Sequence, residues 1–131
     1  MSKLDLKPAM TLALAVNDRK AATQWYVGML EFTLLYDVEE IGWCELETNI
    51  PGVRLGLADR QEIQPGGPVP TFEVSDLDST RTELEQRGVE FEEGTITHSG
   101  LVRLAVFHDL DGHALMLAEA LGSEPANGAE R

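Results

Sequence analysis

The sequence predicts an α+β fold of two tandem βαβββ modules that together form a concave cleft. Three observations predict it. The order strand, helix, three strands occurs twice, the two copies keep step by residue offset, and 131 residues suit one domain of ordinary size without a separate partner domain. The expected organisation is a single domain over 1–131, with a first module at 10–59, a linker at 60–68, a second module at 69–120 and a mobile tail at 121–131.

The first module opens at 11–16, TLALAV, a short apolar β-compatible run that ends at Asn17-Asp18, residue types that favour turns and helix N-caps. Over 18–29 the residues Ala21, Ala22, Trp25, Tyr26 and Met29 recur at three-and-four spacing, which predicts a helix with one packed face. Strand-like runs follow at 32–40, 42–49 and 53–59, the last two joined by the turn Asn49-Ile50-Pro51-Gly52. The segment 60–68, RQEIQPGGP, is polar and punctuated by proline and glycine, so it reads as a linker. The second module predicts a strand at 69–74, a helix at 76–87 closed by Gly88, and strands at 89–99, 101–108 and 113–120. The tail LGSEPANGAER lacks periodicity and, beyond Leu121, large apolar residues.

The offsets are specific. Val16 and Asp18 match Val74 and Asp76 at 58 residues, Leu30-Glu31-Phe32 matches Val89-Glu90-Phe91 at 59, and Gly52, Leu55, Leu57, Ala58 and Asp59 match Gly112, Leu115, Leu117, Ala118 and Glu119 at 60. One residue slips in each of two loop-prone regions.

Composition excludes several classes. Hydrophobic residues at 43% and charged residues at 25% are an ordinary globular mix, and no apolar stretch approaches the roughly 20 residues of a bilayer helix, so no membrane partner is expected. With 10 basic and 23 acidic residues the net charge of −13 repels phosphate backbones, so nucleic acid is not an expected partner. A lone Cys44, which cannot form an internal disulfide, and an N-terminus without the apolar core of a signal peptide lead us to expect a cytoplasmic protein. Cys44 reads as a buried structural thiol, and one cysteine excludes Cys-rich zinc and iron–sulfur sites.

Two segments carry a family resemblance. The run LALAVNDRKAATQWYVGMLEF resembles the strand-Val-x-Asp-helix-Phe-Tyr-x-x-x-Leu-Gly-Phe opening of the vicinal oxygen chelate superfamily, and Phe107-His108-Asp109-Leu110-Asp111-Gly112-His113 resembles its Phe-x-Asp-Pro-Asp-Gly-Asn turn. That superfamily includes glyoxalase I, extradiol dioxygenases, and fosfomycin- and bleomycin-resistance proteins. The resemblance covers about residues 10–120, with Trp25, Glu31, Leu110 and His113 standing where the family usually has Phe, Gly, Pro and Asn. It implies the glyoxalase/bleomycin-resistance-like fold and a symmetric homodimer that covers strand edges and completes the cleft. It also implies a metal held by one ligand from the first strand and one, usually Glu, from the last strand of each module. Here those positions are Thr11, Val69, Gly56 and Met116. None offers imidazole, carboxylate or thiolate, so we expect no metal and no cofactor. His98, His108 and His113 lack HxH or HExxH spacing and read as surface or turn residues.

The rest of the site follows from strand alternation. Trp43, Glu45 and Glu47 alternate with Cys44 and Leu46, and two carboxylates are too costly to desolvate under a helix, so the Trp43 set faces the cleft or solvent. The offset of 60 adds Arg103, Ala105 and Phe107 to that face, although Arg103 could instead pair with an acid across the sheet. The expected ligand-binding set is Trp43, Glu45, Arg103, Phe107, Thr11, Thr71, Met116 and Tyr36, an apolar wall with few polar anchors. The leading expectation is a metal-free protein of the bleomycin-resistance type that binds or sequesters a small organic molecule, cationic or neutral and aromatic. A first alternative is a superfamily enzyme of lyase, isomerase or dioxygenase type, with Glu45 or Glu73, raised in pKa by burial, as general base, or with a non-standard metal site. A second is an oligomeric interaction protein with a vestigial cleft.

Overall fold

A computed structural model describes residues 4–5, 7–98 and 100–121. The expected mobile tail lies, beyond Leu121, outside the described residues. The chain forms two compact units, Met1–Gln64 and Pro65–Arg131. The first contains β1 (Met10–Val16), α1 (Arg19–Leu30), β2 (Thr33–Val38), a 3-10 turn at Glu39–Ile41, β3 (Trp43–Glu47) and β4 (Val53–Asp59). The second contains β5 (Thr71–Glu73), α2 (Leu77–Gln86), β6 (Ile96–His98), β7 (Val102–His108) and β8 (Ala114–Ala120). The sheets run β1-β4-β3-β2 and β5-β8-β7-β6, and in each the first strand lies parallel to the last. The βαβββ order thus yields the same topology twice, in an α+β fold. Among the described residues no helix is long and apolar enough to cross a membrane.

Each helix starts where its sequence allows an orphan N–H to be satisfied. Asp18, in extended backbone, accepts from the Lys20 and Ala21 N–H groups at 3.0 and 3.2 Å, and Asp76 accepts from Ser79 N–H at 3.1 Å. The 58-residue match of Asp18 and Asp76 is therefore a pair of N-caps. Ala22 and Tyr26 of α1 are buried, as are Cys44, Leu46, Leu55 and Leu57 on the sheet, and Thr23 Oγ1 lies 3.3 Å from Cys44 Sγ. That contact fixes which face of β3 the helix covers. Burial pushes the Cys44 thiol pKa up, consistent with a structural role.

The helix ends differ. Gly88 follows α2 with φ 98°, whereas α1 ends on Glu31 at φ 63°, ψ 30°, a left-handed conformation strained for a residue with a Cβ. Glu31→Gly is expected to stabilise the protein by about 1 kcal/mol, read from urea unfolding. A loss of stability would mean that contacts of the Glu31 side chain outweigh the backbone strain.

Several expected strands are shorter. The run 89–99 is largely not a strand: Phe91 makes one bridge to Phe107, and pairing resumes only at β6. Glu92 still donates its N–H to the Val106 carbonyl at 2.7 Å, but Glu93-Gly94 leaves the ladder, with Gly94 at φ 77° and the Glu92 and Gly94 carbonyls accepting from Arg81 at 3.2 and 3.3 Å. The run 69–74 shrinks to β5, since Pro70 has no N–H for the ladder, although its carbonyl accepts from Met116. The run 32–40 ends early in the 3-10 turn, closed by Gly42 at φ 63°.

One shift exchanges two faces. In the first unit Cys44 pairs with Leu57 and Leu46 with Leu55; in the second Ala105 pairs with Leu117 and Phe107 with Leu115. The leucines keep the 60-residue offset, but the partners Cys44/Ala105 and Leu46/Phe107 are 61 apart, because the second hairpin is one residue shorter. A one-residue change of register moves a strand's side chains to the opposite face. Ala105 and Phe107 are therefore core residues, 1% and 0% exposed, rather than companions of Trp43. Arg103 likewise points to α2, where it donates to Asp78 at 2.8 Å, and pairs across the sheet with Glu119 at 3.2 Å. The counterparts of Trp43 and Glu45 are Leu104 and Val106.

Candidate functional site

The face of the first sheet opposite α1 gathers aromatic and polar groups. Alternation and pairing put Trp43, Glu45 and Glu47 of β3 beside Arg54, Gly56 and Ala58 of β4, with Thr11, Ala13 and Ala15 of β1 next to them. Tyr36 joins because of a bulge. Leu34 pairs with Leu46, but the next pair is Tyr36 with Glu45, so Leu35 is the extra residue. Without that insertion Tyr36 would lie opposite Cys44, under the helix; the bulge re-aims it.

Glu45 is the centre of this face. Its Oε2 accepts a short hydrogen bond from the Tyr36 hydroxyl and one from Trp43 Nε1 at 3.3 Å. Its Oε1 accepts from Thr11 Oγ1 at 3.4 Å and lies 3.7 Å from Arg54 Nη1. Burial of a carboxylate raises its pKa, but the donors Tyr36, Trp43 and Thr11 and the Arg54 charge together outweigh burial and hold Glu45 below the usual glutamate range. The direction is opposite to that of the burial-raised base in the enzyme alternative: Glu45 is an acceptor whose Oε2 is held by two donors, while Oε1 has only the longer contacts. For Tyr36 the sign is opposite, since the hydrogen bond to Glu45 favours the neutral phenol and raises its pKa above 10.0. The Tyr36 ring resonance should therefore titrate above the ordinary tyrosine range in an NMR pH series, and Glu45→Gln should move it back down. A midpoint unmoved by that substitution would disprove the bond.

Trp43 lies over Gly56. A Cβ on Gly56 would stand 2.2 Å from Trp43 Cη2 and 2.4 Å from Cζ2, so the indole occupies the space a side chain would need. With alanines at 13, 15 and 58 as neighbours on the face, the ring lies low on the sheet, its edge nitrogen held by Glu45.

Other sequence candidates lie elsewhere in their own unit. Thr71 is exposed and donates to the Val69 carbonyl at 3.0 Å; it pairs with half-buried Met116. Glu73 is exposed opposite Ala118. Phe107 packs against Phe91, ring centroids 5.1 Å apart. His108 contacts Glu92 at 2.8 Å, His98 is exposed on β6, and His113 is buried in the β7–β8 turn, its backbone N–H donating to the Asp109 carboxylate at 2.8 Å. Sequence reasoning missed Arg54, which alternation with Gly56 could have found, and Arg19. The Arg19 guanidinium is 2% exposed and donates to Asp37 at 2.6 Å, Asp59 at 2.5 Å and Glu39 at 3.2 Å. No local pattern marks it, because its acids come from β2, the 3-10 turn and β4.

A family model described as the Glyoxalase/Bleomycin resistance protein/Dioxygenase superfamily matches residues 10–117. The chain belongs to that superfamily. Among solved structures, a superfamily protein from Nocardioides is 23% identical with TM-score 0.76, covering 95% of this chain and 91% of its own. TnmS3, an antibiotic binding protein from Streptomyces sp. CB03234, is 24% identical with TM-score 0.74, at 89% and 98% coverage. A glyoxalase/bleomycin resistance protein from the same Streptomyces is 26% identical with TM-score 0.64, at 83% and 97% coverage. No curated protein matches the chain.

For this member of the superfamily, the positions at which the resemblance places metal ligands do not fit a metal. The Thr11 hydroxyl is engaged with Glu45, Gly56 has no side chain and its Cβ space holds the Trp43 ring, Val69 has no donor, and Met116 offers only a thioether. Among the described residues no group of three or more His, Cys, Asp or Glu is placed to hold an ion.

Proposed function

We propose that the protein binds a small planar organic molecule, aromatic and either cationic or neutral, without a metal, by stacking it on Trp43. The observation that carries this reading is the fixed indole: seated over Gly56 and tied by Nε1 to Glu45, it offers a pre-organised apolar surface. Glu45 supplies negative charge, and Oε1, whose contacts are at 3.4 and 3.7 Å, is the oxygen best able to accept from a ligand. Exposed Tyr36 provides a second aromatic edge beside it. The antibiotic-binding description of TnmS3, which shares the fold, supports sequestration over turnover. So does the depressed pKa of Glu45, since a general base works best with a pKa near the operating pH.

The test is a calorimetric titration of planar aromatic amines and their neutral analogues at 0.15 M salt. Binding is expected to weaken at least tenfold in Trp43→Ala, and Trp43 emission, read in a Trp25→Phe background, should respond to the ligand. Binding unchanged in Trp43→Ala would move the site elsewhere. We propose further that the protein is a homodimer, since edge strand β2 exposes Leu34 and Leu35; sedimentation showing a monomer at micromolar concentration would refute this.

A further inference from the structure

We propose that Gly56 is the specificity-determining residue of this face: by lacking a Cβ it seats the Trp43 indole on β4 and so makes the face select flat π-systems over compact cations. The proposal rests on the stacking function above and assigns its selectivity to a residue that touches no ligand.

The geometry is restrictive. Three indole carbons, Cη2, Cζ2 and Cζ3, lie 2.2, 2.4 and 3.1 Å from where a Cβ on Gly56 would be, all belonging to the six-membered ring. The smallest side chain therefore collides with the outer rim of the six-membered ring, and the backbone of a central strand, paired on one side with Ala13 and on the other with Glu45, cannot retreat. The ring must lift. Lifting it swings Nε1 from Glu45, breaks the 3.3 Å bond, and turns a flat ring into a mobile one. Gly56 does not lie at positive φ, so its lack of a side chain serves no backbone need. Glycine weakens a strand, and the three nearest neighbours of the added Cβ all belong to Trp43. A strongly hydrated primary ammonium needs mainly negative charge, which Glu45 and the net charge of −13 supply whatever the ring does, whereas a quaternary ammonium would itself lie on the ring face.

Gly56→Ala in a Trp25→Phe background is compared with its Gly56 parent at 0.15 M salt. Trp43 emission and acrylamide quenching are read without ligand, and calorimetry is run with proflavine, a planar aromatic cation, and with ethylenediammonium, a compact and strongly hydrated one. In Gly56→Ala we expect quenching to rise at least twofold, proflavine affinity to fall at least tenfold, and ethylenediammonium affinity to change less than twofold. The unequal loss for the two probes separates selectivity from a merely structural role, and coupling tests the steric seat: Gly56→Ala should lower the thermal midpoint beside Trp43 but raise it in a Trp43→Ala chain, where a strand alanine meets no ring. The Trp43→Ala/Gly56→Ala chain also serves if Gly56→Ala alone fails to fold; a midpoint no higher than that of Trp43→Ala overturns the proposal. If the parent binds proflavine while Gly56→Ala leaves quenching and affinity unchanged, the stacking function stands and the role of Gly56 is refuted. Equal losses for both probes refute the selectivity. If the parent binds neither probe, the stacking function falls and the selectivity falls with it.

Discussion

Phe107→Ala is expected to destabilise the second unit by about 3–5 kcal/mol, because it removes a fully buried aromatic ring and leaves a cavity beside Phe91. Trp43→Ala, on the face away from the helix, should lower stability by no more than about half as much, since that ring is only half-buried. The pair separates two registers of the repeat. Had β7 kept the offset of β3, Phe107 would stand on the outer face and its loss would be mild. Urea unfolding read by probes in each unit decides, and a Phe107→Ala effect at or below that of Trp43→Ala would refute the 61-residue correspondence.

Arg19→Met should lower the thermal midpoint at pH 7 by about 5 °C, since it leaves three partly solvated carboxylates, 31–67% exposed, facing one another without their shared cation. The partners are Asp37, Glu39 and Asp59, and Asp59 also accepts the Arg19 backbone N–H at 2.7 Å. The effect carries a pH signature. The hydrogen bonds from Arg19 hold Asp37 below 3.8, and Lys20 with Arg19 holds Glu39 below 4.5. A depressed carboxylate contributes stability that is full above its unfolded pKa and lost as pH falls through its folded value. The gap between wild type and Arg19→Met should therefore be constant near neutrality and close below about pH 4. A gap unchanged down to pH 3 would show that Arg19 stabilises by packing alone.

The fold and part of the site were legible in the chain for reasons that can be named. Asp18 and Asp76 cap helices because a short acceptor before an apolar three-and-four stripe has one local use, and the structure places both as N-caps. Trp43 and Glu45 share a face because strand alternation has a period of two and Cys44 between them is core.

Local patterning settled the element order, the helix caps, the parallel duplication and the polarity of β3, all of which depend on residues within a few positions of one another. Tertiary structure alone decided the remainder. Tyr36 reaches Glu45 through one inserted residue at Leu35, Phe107 enters the core through one residue fewer in a hairpin, and Arg19 is buried by acids 18, 20 and 40 positions away. Alternation along one strand is local, but its phase against a neighbour is set by bulges and turn lengths, and a single residue there reverses every side chain.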